Sequence, residues 1–121
     1  MFPSEIKDFT KEEFSCPCGC GKNNIDYDFV KDLQIARTIA KTSFIINRGC
    51  SCDFHNSRVD GSSDSSHLVG KAVDIRCLTS AKRFKIVQAL LFCGFTRIGV
   101  YEKHIHVDSD DTKPQKVIWY E

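Results

Sequence analysis

Ser65-Ser66-His67-Leu68-Val69-Gly70-Lys71-Ala72-Val73-Asp74 reads as one half of a metal site, and His104-Ile105-His106, thirty residues on, as the other. A histidine and a carboxylate seven positions apart, joined by a distant histidine, make a His67/Asp74/His106 triad. Three protein ligands and one open position are what a catalytic zinc ion, Zn2+, requires. Lys71 to Cys77 alternates, with Val73 and Ile75 on one face and Ala72 and Asp74 on the other. His104 to Asp108 alternates too, with both histidines on one face and Ile105 and Val107 on the other. Two neighbouring antiparallel strands of this kind bring Asp74 and His106 together on one sheet face. Gly70 permits the bend between His67 and its strand, and Ala72 leaves room beside the metal.

The rest of the chain is expected to build a single domain over residues 1–121. Lys plus Arg number 17 and Asp plus Glu 16, a net charge of +1. That balance gives no argument for a nucleic-acid partner, and none is expected. No apolar run reaches membrane-spanning length, which argues against a membrane partner. The start, Met1-Phe2-Pro3-Ser4-Glu5, lacks a basic-then-apolar pattern, so no signal peptide is expected. The protein is read as a cytoplasmic monomer, reaching a cell wall only on lysis. Seven cysteines are an odd count, and reduced thiols are the default without a secretory signal. Cys16, Cys18, Cys20 and Cys52 have two readings. They gather round a second, structural metal, or they are small thiols in a tight Gly/Pro-rich loop. The C-x-C spacing, tighter than the usual zinc knuckle, favours the loop.

Met1 to Glu13 is a polar, loosely docked lead-in. Asp26 caps a helix over about Tyr27 to Lys41, with Phe29, Val30, Leu33, Ala36, Ile39 and Ala40 at helical spacing. Phe44 to Asn47 is a short buried strand. Asp53 caps a short helix over Phe54 to Val59. Asp60 to Ser66 is a loop that delivers His67. Thr79 or Ser80 caps a broadly apolar, largely buried helix from Ala81 to Cys93, ended by Gly94. Thr96 to Tyr101 and His104 to Ser109 form a hairpin round Glu102-Lys103. Val117 to Tyr120 is a terminal strand or a chain end laid over the core. The expected architecture is a small α+β domain: helices on one face of a small antiparallel sheet, zinc on the other.

Ser65-x-His67-x-x-Gly70-x-Ala72-x-Asp74 followed by His104-x-His106 resembles the M15 family of zinc peptidases. That family holds D-alanyl-D-alanine carboxypeptidases and phage L-alanyl-D-glutamate endopeptidases. The likeness extends to Cys16-Pro17-Cys18-Gly19-Cys20-Gly21, His55-Asn56, Gly61 and Arg97-Ile98-Gly99-Val100-Tyr101. The same scaffold occurs in the signalling domain of hedgehog proteins. The resemblance implies a hedgehog/DD-peptidase-like fold, one catalytic zinc ion and a peptidoglycan stem peptide as substrate, cleaved beside a D-residue as a phage endolysin would. It implies metal ligation by His67, Asp74 and His106.

Two departures from the family pattern matter. Relatives carry Ser-Gly-Tyr-Arg where this chain has Arg48-Gly49-Cys50-Ser51, so Arg48 or Arg58 would meet the substrate. Relatives place an acid three residues before the last histidine, where this chain has Lys103. Glu102, one residue earlier, is then the candidate general base. His104, on the same face as His106, would donate to the oxyanion. Ser65 contacts substrate or caps a turn, and Asp108 orients a histidine or faces water. His55 orders a loop. No cysteine sits in a nucleophile context. The competing readings are a non-catalytic zinc-binding interaction module and a thiol-rich domain whose metal sits at the cysteines.

Overall fold

The computed structural model describes residues 2–59 and 61–121. The expected lead-in from Met1 and loop from Asp60 each begin on a residue outside that set. The structure is the expected α+β sheet with helices on one face, and a site for a metal lies on the other.

Helix α1, Tyr27–Ala40, begins where the Asp26 side chain accepts the Phe29 amide at 3.1 Å. Strand β1 is Ile46–Arg48, which starts two residues and ends one residue later than expected and is only partly buried, and α2 is a short helix over Asp53–Arg58. The cap of α2 is Cys52 rather than Asp53: the Cys52 sulfur accepts the His55 amide. A 3-10 turn, Ser66–Val69, leads into strand β2, Ala72–Arg76. Thr79 caps α3, Ser80–Phe92. Strands β3, Arg97–Val100, β4, His104–Asp108, and β5, Val117–Tyr120, complete a five-stranded sheet of order β1-β2-β4-β3-β5. All pairings are antiparallel except β3 with β5.

The core lies between the sheet and the α1–α3 pair. Val73 and Ile75 of β2, Ile98 of β3, and Ile105 and Val107 of β4 point inward onto Phe29, Leu33, Ile86 and Leu90. Each such fully buried side chain contributes about 1.5–3 kcal/mol. Period-two alternation then leaves Asp74, His104 and His106 on the far face.

Two expectations are corrected. The lead-in is not loosely docked. Ile6, 4% exposed, and Phe9 belong to the core, and Phe2 packs edge-on against Phe14 and Tyr27. Apolar spacing across a polar-looking segment carries it. Helix α3 is not largely buried either. Ile86, Ala89 and Leu90 form its inner stripe, and the helical period turns Phe84, 66% exposed, and Phe92, 79% exposed, to the outside.

Candidate metal centre

Strands β2 and β4 pair in register with Asp74 directly opposite His106. The Asp74 carboxylate therefore faces the imidazole across one ladder, with Nδ1 of His106 at 3.1 Å from Oδ1. His67 arrives from the 3-10 turn, whose last residue is followed by Gly70 at φ +71. A Cβ there would stand 2.1 Å from the Asn24 carbonyl oxygen, so glycine is required both by conformation and by space. The Nε2 of His67 lies 3.4 Å from the same Asp74 oxygen. One donor atom from each of the three residues falls within 4.8 Å of the others.

The outer contacts of these groups are those of a metal cradle. His67 Nδ1 bonds the buried Gly49 carbonyl at 2.8 Å, leaving Nε2 for the centre. His106 Nε2 bonds Asp108 at 2.7 Å, leaving Nδ1 for the centre. Asp108 is in turn held by Arg97 Nε at 2.7 Å. Carbonyl and carboxylate partners on the far nitrogens set tautomer and ring angle in metal-binding histidines. Ligands about 2.0–2.1 Å from a tetrahedral ion stand ~3.3 Å apart, close to the spacings of these donors. The residues fit a divalent ion.

Electrostatics agrees. Burial favours the neutral form of Asp74, but bonds from His106 and His67 hold its carboxyl far below the usual carboxylate range. Burial opposes charge on His106, yet Asp108 and Asp74 outweigh it and push the imidazole upward. A bound cation would take the place of that proton.

The three residues open into a cavity of about 490 Å³. Arg48, Ser65, His104, Tyr101, Trp119 and Glu121 are among its walls. Arg48 is fixed by bonds from Nη2 to Ser51 Oγ at 3.2 Å and to Asn56 Oδ1 at 2.9 Å. Burial pulls its guanidinium down, and its Nε has no partner among the described residues. Ser65 Oγ accepts the His67 amide at 3.3 Å, a cap for the turn. The His104 ring stacks on Tyr101 at 4.4 Å, with Nε2 3.9 Å from Asp74 Oδ2. His55 lies on α2, its amide on the Cys52 sulfur, and does not line the cavity.

Two expected site residues are not brought there. Glu102 is exposed and outside the cavity. It occupies the hairpin turn, where the Tyr101 amide donates to the His104 carbonyl at 3.0 Å. That closes a two-residue loop and takes Glu102 out of the strand's alternation. Its carbonyl instead accepts Arg83 of α3 at 3.1 Å. Arg58 is exposed over the Phe54 ring at 5.7 Å and also lies outside the cavity.

Sequence reasoning missed Arg97, Trp119 and Glu121. Trp119 lies over Gly99, where a Cβ would meet the indole at 2.6 Å, and its ring is 5.5 Å from His106. Its Nε1 donates to the Tyr101 hydroxyl at 3.1 Å. Burial pushes the Tyr101 phenol up, the Trp119 bond opposes this, and the neighbouring Glu121 charge adds to the rise. An arginine opening the otherwise apolar Arg97-Ile98-Gly99-Val100 strand was the one available signal.

Behind the cavity, buried Asp110 ties the His67 turn to the β4–β5 connection. It accepts Ser66 Oγ at 2.7 Å and the Thr112 hydroxyl at 2.6 Å. Burial pushes its carboxyl up, but the Thr112 and Ser66 bonds, with the Lys113 charge, bring it down to about 2. A depressed carboxyl stabilises the fold fully above its unfolded value, ~3.9, and the contribution is lost as pH falls through the folded value. Acid unfolding followed by Trp119 fluorescence is therefore expected to steepen between about pH 4 and pH 2. Asp110→Asn should remove that part of the slope and leave stability at pH 6 to 8 independent of pH at this position.

A family model described as Peptidase M15 matches residues 7–108. No curated protein matches the chain. The matched span contains His67, Asp74 and His106. No helix among the described residues is long and apolar enough to cross a membrane.

Proposed function

The chain belongs to the Peptidase M15 family, and from that premise we propose that it is a zinc metallopeptidase hydrolysing peptidoglycan stem-peptide bonds beside a D-amino acid. Membership supports a metal-dependent peptidase and a peptide substrate. The observation that carries it is the convergence of the His67, Asp74 and His106 donors at the floor of an open cavity.

A zinc ion held there would supply Lewis acidity, lowering the pKa of water to ~7 and polarising a carbonyl. Every other part falls to the chain's own groups. Two neutral imidazoles and one carboxylate leave a bound cation with net positive charge. Hydrolysis adds a water oxygen to the carbonyl carbon, moves the water proton to a base, and passes it to the amine as the C–N bond breaks. Glu121 is the cavity carboxylate that neither joins the triad nor pairs with Arg97, and we assign it the base in place of Glu102. His104 and Arg48 face the same space with N–H groups for the oxygen that gains charge. Arg48 also offers a cation to a peptide carboxylate. Ser65 at the rim is a polar contact for the peptide backbone.

Zinc-loaded protein incubated with stem peptides containing L-alanyl-D-glutamate or D-alanyl-D-alanine bonds should yield new termini by mass spectrometry. General acid–base groups are worth ~100- to 10,000-fold, so Glu121→Gln should lose activity on that scale while Glu102→Ala keeps it. The reverse pattern would restore Glu102 as the base. One observation favours a second reading, a non-catalytic zinc-binding interaction module: the acid expected from the hairpin stands outside the cavity. Zinc binding with no cleavage of any stem peptide would select it.

A further inference from the structure

The four cysteines that the peptidase chemistry does not use converge on one point. Sγ of Cys16 lies 3.5 Å from that of Cys18 and 3.7 Å from that of Cys52, and Cys18 and Cys52 are 3.5 Å apart. Cys20 completes the set, with all four sulfurs within 4.8 Å of one another. None is bridged by a disulfide. Four sulfurs about 2.3 Å from a tetrahedral zinc would stand ~3.8 Å apart. We infer that Cys16, Cys18, Cys20 and Cys52 form a second, closed metal site that takes Zn2+ in a purely structural role.

Packing alone does not explain the cluster. Cys18 and Cys20 are exposed, so bringing them together buries little apolar surface. Thiols are weak donors and weak acceptors, so four of them gain little from each other. Yet the backbone is shaped to gather them. Gly19 and Gly21 sit at φ +83 and +85, and a Cβ at either would meet nothing within 4 Å. Glycine is needed there for conformation and not for space. The two left-handed residues let the chain wrap Cys16, Cys18 and Cys20 round a single point. A Cys16 amide bond to the Lys22 carbonyl at 2.9 Å closes the loop.

The surroundings suit thiolates. The Cys52 amide donates to Cys16 Sγ at 3.4 Å, the His55 amide to Cys52 Sγ at 3.3 Å, and the Lys22 amide to Cys20 Sγ at 3.5 Å. N–H groups aimed at sulfur stabilise the charged form that a metal needs. Four sulfur donors without an open position select zinc or iron over harder ions, and a closed set holds a metal for structure. The site links the chain's start to the Gly49–Cys52 loop. That loop's Gly49 carbonyl holds His67, and its Ser51 amide donates to the His67 carbonyl at 3.2 Å. The thiol site thus braces the wall that carries one triad histidine.

The test uses the reduced full chain loaded with Zn2+ or Co2+. Metal analysis of the wild type should give about two equivalents of zinc, falling to about one in Cys20→Ser and in His67→Ala. With cobalt, the wild type should show an intense sulfur-to-metal charge-transfer band in the near ultraviolet. His67→Ala should keep it and Cys20→Ser should lose it. A wild type without the band overturns the inference, whatever the variants do. So does a single equivalent of metal that disappears with His67. The band reports sulfur ligation alone, so failure of the peptidase reading leaves it untouched.

Discussion

Asp74→Ala is expected to abolish high-affinity zinc binding at the triad and with it any peptidase activity. Asp74 is the one carboxylate of the three, and it stands 3.4 Å from His67 and 3.1 Å from His106. Its loss removes the anionic ligand and leaves two imidazoles facing a cavity beside the Arg48 guanidinium. Outer partners of metal ligands are worth about 10–100-fold in affinity, so a direct ligand should exceed that range. Competition against a chromophoric chelator gives the number, and circular dichroism shows whether the sheet persists. Asp74→Asn separates charge from shape. It keeps the volume on β2, so a large fall there too identifies the carboxylate's charge as the active ingredient. Zinc affinity of the wild type should fall as pH drops, because a proton on His106 competes with the metal and Asp108 and Asp74 hold that proton more tightly than usual.

Arg97→Ala should cost about 3–5 kcal/mol of stability, the usual penalty for orphaning one partner of a buried ion pair. Asp108 is 1% exposed, and Arg97 Nε is its basic partner besides His106. Arg97 also donates to the Pro114 carbonyl at 2.6 Å and lies over the Trp119 ring at 5.1 Å. Its removal therefore loosens the β4–β5 connection as well as the charge pair. Urea denaturation of the metal-free protein measures the loss. A second effect follows on metal binding: Asp108 without Arg97 holds His106 less firmly, and zinc affinity should fall about 10–100-fold. The double variant Arg97→Met with Asp108→Leu makes the distinction. Apolar replacement of both partners should recover much of the stability, while zinc affinity stays low because His106 has lost its carboxylate.

The triad was legible because its signals are local. Gly70, Ala72 and Asp74 mark a bend and a strand face, and simple alternation puts His106 on the matching face of β4. Cross-strand register then follows, and the ladder has Asp74 opposite His106. What stayed hidden depends on pairings between distant segments. Arg97 reaches Asp108 across β3 and β4, and although its apolar neighbours mark it as unusual, nothing local names its partner. Trp119 reaches the cavity because β5 pairs parallel with β3, and a parallel partner leaves no hairpin signature in sequence. Glu102 was read from a family position and not from a pairing. It sits in the hairpin turn, as read, but its carbonyl accepts Arg83 of α3 and the residue lies outside the cavity. The cysteines were half legible. Cys16, Cys18 and Cys20 are adjacent in the chain, whereas Cys52 joins them from 34 residues beyond Cys18.

The Asp74–His106 pairing also orders events in time. The two residues are 32 apart in sequence and meet on the ladder between β2 and β4, at the centre of the sheet. During synthesis His67 and Asp74 leave the ribosome well before His106 does. A partly made chain thus has two thirds of a cradle and little grip on any cation. Non-local strand pairing is the slow part of folding for such topologies. Metal capture at the triad becomes a late event, coincident with closure of the central ladder. A pulse of radioactive zinc given to arrested nascent chains that carry Cys20→Ser should find that cradle empty until β4 has emerged.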